Sequence, residues 1–135
     1  MTVPWNNEGR MDFRKVGVWA VTIFVGIIFL MSGVVKFLQS SMWQERFATQ
    51  WGLPGWMVLV TGLLEMAGAL LILMPRTAVY GGSIIAVVMI GATGTHAMAG
   101  EFPNMGVTAV LGSLAAFVAW YRCPWCKREP ESDDA

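Results

Sequence analysis

Four long apolar stretches, each with almost no charge, alternate along the chain with short polar segments. A helix that crosses the roughly 30 Å hydrocarbon core of a bilayer needs about 20 such residues, because each residue advances about 1.5 Å. The pattern therefore predicts an all-α protein, a transmembrane four-helix bundle over residues 16–121. The predicted spans cover about residues 16–36, 55–74, 77–99 and 105–121.

The turns between the later spans are short. Pro75 and Arg76 end the second span and leave almost no linker, which predicts a tight antiparallel hairpin with the third. Glu101, Pro103 and Asn104 are expected to form a short loop before the fourth span.

The segment 39–50 between the first two spans has a mixed pattern. Leu38, Met42, Trp43 and Phe47 fall on one helical face, and polar residues occupy much of the rest. We interpret it as a short helix that lies in the membrane interface. A plain polar loop with scattered aromatic residues is the alternative, since the segment is short for a periodicity argument.

Composition supports a protein whose partner is the lipid bilayer. Apolar residues make up 56% and charged residues 13%, against about 45–50% and about 25% in an average soluble domain. The formal net charge is zero, so no basic surface for nucleic acid is expected.

The distribution of basic residues predicts the orientation, because cytoplasmic loops are enriched in lysine and arginine. The arm 1–15 and the polar tail 122–135 are therefore placed in the cytoplasm, with the end of the tail expected to be disordered. The other side has only Lys36 and Arg46. The basic residues assigned to the cytoplasmic side are Arg10, Arg14, Lys15, Arg76, Arg122, Lys127 and Arg128.

Small residues recur inside every predicted span and let helix backbones approach closely in lipid. In the third span Gly91 lies four residues before Thr95, and Gly94 four before Met98. This stripe predicts a central, closely packed third helix.

Glu65 is the most informative polar residue. It lies about 15 Å into the second span, near the bilayer midplane. An ionised carboxylate alone there costs at least about 2.5 kcal/mol, so it must be protonated, paired or facing water. It is either a proton-carrying or ligand-binding group, or a contact between helices.

Lys36 lies at the end of the first span. Its amine either extends to the headgroups or turns inward toward Glu65. The two residues differ in depth, so a direct pair requires that the first helix tilts or sits lower in the membrane.

His96, the only histidine, lies at the end of the third span on the same side as Lys36. It is either an interfacial imidazole bonded to backbone or water, or a proton acceptor beside a quinone. One histidine cannot supply both axial ligands of a haem. A metal site would need further ligands from Glu65 or Glu101, and the depth of Glu65 argues against it, so no metal site is predicted. Thr61, Thr93 and Thr95 either support these groups by hydrogen bonds or bond back to their own helices.

Cys123 and Cys126, in a Cys-Pro-Trp-Cys motif after the fourth span, are a second set of reactive groups. Two thiols three apart close a disulfide or supply half of a zinc site. They follow a membrane helix rather than a strand of a soluble fold. Interfacial cysteines without chemistry, or with reversible acylation, are therefore the alternative.

Five motifs in order resemble the DoxX family of small four-helix bacterial membrane proteins. They are GIIFLMSGVVKF at 26–37, GLP at 52–54, TGLLEMAG at 61–68, PR at 75–76 and GATGTH at 91–96. The resemblance covers about residues 16–120 and implies a bacterial inner-membrane protein associated with redox work, with Lys36, Glu65 and His96 at the polar positions of the family pattern. The Cys-Pro-Trp-Cys tail is not part of that pattern.

Three functions are compatible with these observations. The first is a non-catalytic accessory or anchor subunit of a membrane redox or bioenergetic complex, with other membrane subunits or self-association as partners. The second is a membrane component of a quinone-linked oxidoreductase of the thiosulfate:quinone type, with quinone as its cofactor. The third is a small proton-coupled transporter around Glu65. Whether the chain is an enzyme is left open.

Overall fold

A computed structural model describes residue 5 and residues 7–126 of the chain. The end of the tail, expected to be disordered, lies outside the described residues. Within them the fold is all-α, apart from an isolated bridge between Trp5 and Met11. The described helices are α1 (Phe13–Leu38), α2 (Ser40–Gln50), α3 (Met57–Leu73), α4 (Ala78–Met98) and α5 (Phe102–Arg122).

Two helices begin earlier than the sequence pattern predicts. Asp12 caps α1, where its side chain accepts a hydrogen bond from the Arg14 backbone N–H at 3.1 Å. The loop expected at Pro103 and Asn104 is wrong, because both residues lie in the first turn of α5. Proline fits there since the first backbone N–H groups of a helix need no intrahelical acceptor.

The short helix expected between the first two spans is present as α2. Of its predicted apolar face, Phe47 is buried and Trp43 is half-buried, whereas Leu38 and Met42 are exposed.

The four long helices pack around a shared core. α3 lies between α1 and α4, α4 packs against α5, and α5 also contacts α1. The core consists of buried apolar side chains from all four helices: Val25, Phe29, Ala69, Ile72, Ile85, Met89, Ala115 and Val118.

Glycines set the closest approach between α3, α4 and α5. A Cβ atom on Gly81 would lie 2.3 Å from the Ile72 backbone nitrogen, so α3 and α4 touch backbone to backbone. Gly82 faces the Ala115 carbonyl of α5 in the same way. α4 thus packs on both neighbours, as a central helix would. The predicted stripe is not the contact surface, however, because nothing lies within 4 Å of a Cβ atom on Gly91 or Gly94.

Three of the described helices, α1, α4 and α5, are long and apolar enough to cross a membrane. α3 is also apolar but has 17 residues, or about 25 Å at about 1.5 Å per residue. The chain is therefore a multi-pass membrane protein, and α3 lies at the lower limit of length for a span.

Candidate functional site

Glu65 is the only ionisable side chain that is buried among the described residues, and it forms an ion pair with Lys36 between α3 and α1. The Lys36 ammonium lies 2.6 Å from Glu65 Oε2, and the two side chains are 13% and 3% exposed. Glu65 is the central residue of α3, whereas Lys36 is two residues from the end of α1. The structure therefore brings together two of the three polar positions that the sequence singled out.

Glycine contacts explain how residues of such different depth meet. A Cβ atom on Gly33 would lie 2.3 Å from the Met66 side chain and 2.8 Å from the Gly62 carbonyl oxygen. This contact places the last turns of α1 beside the middle of α3. α1 is thus shifted along α3, so that Lys36 lies at the depth of Glu65. The sequence analysis gave such a shift as one of the conditions for a direct pair. At the other end Gly26 meets Leu73, the last residue of α3, so the first half of α1 extends past α3 toward α5.

Ser32 completes the buried cluster and was missed by the sequence analysis. Its hydroxyl donates to Glu65 Oε2 at 2.9 Å and accepts from the Lys36 ammonium at 2.9 Å. Ser32 lies four residues before Lys36, so the two share one helix face, and that spacing was the available signal. The Lys36 ammonium also lies 5.8 Å from the centre of the Trp43 ring of α2, within the range of a cation–π contact. Each charged group in the cluster has a partner, which removes much of the cost of burying it.

His96 belongs to a second polar cluster, at the turn between α4 and α5. Gly100 lies two residues after the end of α4 and has φ of 73°, a left-handed conformation that suits glycine. The turn lets the Glu101 backbone N–H donate to the His96 carbonyl at 2.9 Å. It also brings the Glu101 carboxylate to 2.5 Å from His96 Nδ1. A sequence distance of five residues thus becomes a direct contact.

The Glu101 carboxylate is the hub of this second cluster. It accepts hydrogen bonds from Asn104 at 3.2 Å and from the Gln50 amide of α2. The Asn104 hydrogen bond, followed by the His96 contact, lowers the pKa of Glu101 from its ordinary value. The Trp51 ring packs edge-on against the imidazole, with the ring centres 5.2 Å apart.

α2 links the two clusters. The Arg46 guanidinium lies 5.5 Å from the centre of the Trp43 ring, the same ring that Lys36 approaches. Its Nε donates to the Gln50 side chain at 2.9 Å, and Gln50 in turn donates to Glu101. Within the described residues no hydrogen bond or ion pair joins Glu65 directly to His96. The polar positions therefore form two centres bridged by one surface helix.

The three threonines follow the second of the two alternatives and bond back to their own helices. Thr61 donates to the Met57 carbonyl of its own helix at 2.9 Å. Thr95 donates to the Gly91 carbonyl of its own helix at 2.9 Å. Thr93 bonds to the Met89 carbonyl and lies 2.9 Å from the Thr108 hydroxyl of α5. Their hydroxyls serve helix backbone and the α4–α5 contact rather than the ionisable groups.

Cys123 and Cys126 are joined by a disulfide just after α5, which is one of the arrangements that the sequence left open. Cys123 is 3% exposed, whereas Cys126 is exposed. No group of three or more His, Cys, Asp or Glu side chains suited to a metal ion occurs in the described part of the chain.

A groove on the outer face of α4 and α5 was not anticipated from the sequence. It has a volume of about 370 Å³. Its hydroxyls are already bonded, because Thr93 pairs with Thr108 and Ser113 donates to the Ala109 carbonyl at 2.8 Å. The groove is lined by Ala86, Met89, Ile90, Thr93, Thr108, Ala109, Gly112, Ser113 and Ala116. We call this surface the α4–α5 groove.

Comparison with known proteins gives one match. The model of the DoxX-like family matches residues 20–118, which include both polar clusters and the α4–α5 groove. No curated protein and no solved structure matches the chain.

Proposed function

This chain belongs to the DoxX-like family, as its motifs indicated, and we propose that it is a non-catalytic accessory or anchor subunit of a membrane redox or bioenergetic complex. The redox association follows from the family resemblance. The role of subunit rests on the α4–α5 groove, whose lining suits another transmembrane helix.

The lining of the groove supports this assignment. Lipid tails are as apolar as leucine side chains, so helices associate in membranes through close packing at small residues. Ala109, Ser113 and Ala116 lie on the exposed side of α5, with Ala86 and Ile90 facing them from α4. The hydroxyls in the groove are satisfied internally, so a partner helix needs to supply only shape. We therefore assign the groove to one transmembrane helix of another subunit.

The buried ion pair supports a structural role for the polar positions on α1 and α3. Lys36, Ser32 and Glu65 bond to one another. A proton carrier or a substrate site needs groups that exchange partners during the cycle. We assign this cluster to holding α1 against α3.

For membrane placement we propose four spans, including α3, in a bacterial inner membrane with both termini in the cytoplasm. A helix of 17 residues reaches across the bilayer when its flanking residues extend toward the headgroups or the bilayer thins locally. A membrane-impermeant maleimide tests the orientation after the disulfide is reduced. We expect Cys126 to react only after the cells are opened, and labelling of intact cells would refute the orientation.

The subunit assignment is tested by extraction in mild detergent, capture through a tag and mass spectrometry. We expect the wild-type chain to recover a stoichiometric oxidoreductase or bioenergetic complex. The double variant Ala109→Leu, Ala116→Leu fills the groove and should lose that complex without loss of thermal stability. The control is Ala20→Leu, which makes one substitution of the same kind at an exposed position of α1 outside the groove and should retain the complex. Recovery of the wild-type chain alone, as monomer or homodimer, would contradict the assignment.

A second candidate, a quinone-linked component, is favoured by one observation at the His96 cluster. The Trp51 indole nitrogen is buried and has no hydrogen-bond acceptor among the described residues. A buried donor of this kind is costly unless something accepts its hydrogen bond. A quinone carbonyl oxygen is such an acceptor and would lie beside the His96–Glu101 pair. Trp51→Phe and His96→Ala should then each lower quinone reduction by the native membrane, whereas unchanged rates in both would exclude this candidate.

A further inference from the structure

The Cys-Pro-Trp-Cys segment after α5 is not used by either candidate function. Its two sulfur atoms are bonded to each other but lie in different surroundings. Cys123 is 3% exposed, while Cys126 is exposed and follows Trp125, which is 55% exposed. The Cys126 backbone N–H donates a hydrogen bond to the Cys123 sulfur at 3.2 Å.

We propose that Cys123–Cys126 is an exchange-active disulfide that accepts two electrons from a vicinal dithiol, and that the dithiol enters at Cys126. This site is independent of the proposed subunit role, because it lies outside the α4–α5 groove and both polar clusters. The exposed Trp125 beside Cys126 provides apolar contact surface for a dithiol carried by a protein.

The surroundings of the two sulfurs set the direction of attack. A thiolate attacks a disulfide sulfur along the S–S axis, so the attacked sulfur must be accessible and the far sulfur must tolerate negative charge. Cys126 meets the first requirement through its exposure. Cys123 meets the second, because the Cys126 N–H already points at its sulfur and a hydrogen bond of this kind strengthens when the acceptor is charged.

The exchange balances in two steps. A thiolate of the dithiol forms a bond to Cys126 Sγ while the bond between Cys126 Sγ and Cys123 Sγ breaks, and the electron pair leaves on Cys123, which then takes up a proton. The second thiolate of the dithiol then attacks the other dithiol sulfur, which is bonded to Cys126 Sγ in the mixed disulfide. The bond to Cys126 Sγ breaks, and the released Cys126 thiolate is protonated in turn. The dithiol becomes a disulfide, and the chain carries two thiols.

The wild-type chain provides the first test. The full chain in detergent, oxidised to the disulfide, is mixed with glutathione as a single-thiol probe, quenched with acid, blocked with N-ethylmaleimide and examined by tandem mass spectrometry. We expect glutathione on Cys126 and maleimide on Cys123. The reverse placement would overturn the entry point. A disulfide that glutathione and dithiothreitol reduce only after unfolding would overturn the exchange activity itself.

A matched pair of variants provides the second test. Cys123→Ser leaves the exposed thiol and Cys126→Ser leaves the buried one. We expect oxidised glutathione to modify the Cys123→Ser chain at least about ten-fold faster than the Cys126→Ser chain, because reaction rates follow access to the sulfur. After unfolding in dodecyl sulfate the two rates should become similar, which assigns the difference to the fold. Similar rates in the folded chains would contradict the proposal.

Discussion

Replacing the Lys36–Glu65 pair one residue at a time and then together separates the cost of burying a charge from the value of the pair. The changes are Lys36→Met, Glu65→Leu and the double variant, all of which keep side-chain volume roughly constant. The pair is 2.6 Å apart, and its side chains are 13% and 3% exposed. Either remaining partner is therefore largely shielded from water after a single change.

These values set the expected magnitudes. Removing one member of a buried ion pair costs about 3–5 kcal/mol, because it leaves the other charge without compensation. Replacing both members by apolar residues is often neutral or stabilising by about 1–4 kcal/mol. Ser32 loses both of its partners in the double variant, but its hydroxyl can bond back to a carbonyl of its own helix. We therefore expect each single variant to be strongly destabilised and the double variant to recover close to wild-type stability.

The assay is the free energy of unfolding from dodecyl sulfate titration in mixed micelles, followed by far-ultraviolet circular dichroism. The control is Lys15→Met, which removes a pair with Asp12 that is 4.0 Å apart and 31% and 35% exposed. A partly exposed pair at this distance contributes at most about 1 kcal/mol. A double variant as unstable as either single variant would refute the reasoning, since removing the charge left behind would then recover no stability. A loss equal to the sum of the two single losses would show that the two charges act independently.

Four further variants test the helix packing and the two polar clusters. Gly81→Ala should destabilise the fold by about 1–3 kcal/mol or more, because the added Cβ atom would overlap the Ile72 backbone. Its control, Gly91→Ala, should be neutral or stabilise by up to about 1 kcal/mol, because alanine has the higher helix propensity. Both free energies of unfolding are measured by the same dodecyl sulfate titration. Ser32→Ala should cost about 1–3 kcal/mol by leaving a charged partner short of a hydrogen bond, and an unchanged free energy of unfolding would remove Ser32 from the cluster. The lowered pKa of Glu101 means that its contribution to stability is fully present above its ordinary value of 4.5 and is lost as pH falls through the lower folded value. The thermal midpoint of the wild-type chain should therefore fall more steeply below pH 4.5 than that of Glu101→Gln, and parallel curves would contradict this.

The helices were predictable because a bilayer leaves the backbone few choices. Without water in the hydrocarbon core, each backbone N–H and C=O group must bond within the segment, so an apolar stretch of sufficient length reads directly as a helix. The early start of α5 was missed because Pro103 and Asn104 are common both in loops and in first turns of helices. Family membership was also predictable, since it rests on the order of several motifs.

The contacts of the site were less predictable because they depend on offsets between helices. Sequence depth places Glu65 mid-helix and Lys36 at a helix end, and only the close approach of Gly33 to α3 brings them level. The partner of His96 depends on the left-handed turn at Gly100. The α4–α5 groove depends on which faces the neighbouring helices leave uncovered, and the same small residues occur on covered and uncovered faces.

The buried ion pair and the α4–α5 groove lie on different helix pairs, so their effects should separate. Lys36→Met should lower the free energy of unfolding while the fraction that remains folded still recovers the partner complex. The double variant Ala109→Leu, Ala116→Leu should leave unfolding unchanged, because both residues are exposed, and should lose the complex. If the proposed subunit role is wrong and the ion pair instead takes part in a redox reaction, Lys36→Met combined with Glu65→Leu would restore stability but not the redox activity of the native membrane. Restoration of both stability and activity by that double variant would show that the pair serves the fold alone, which is the outcome we expect for an accessory subunit.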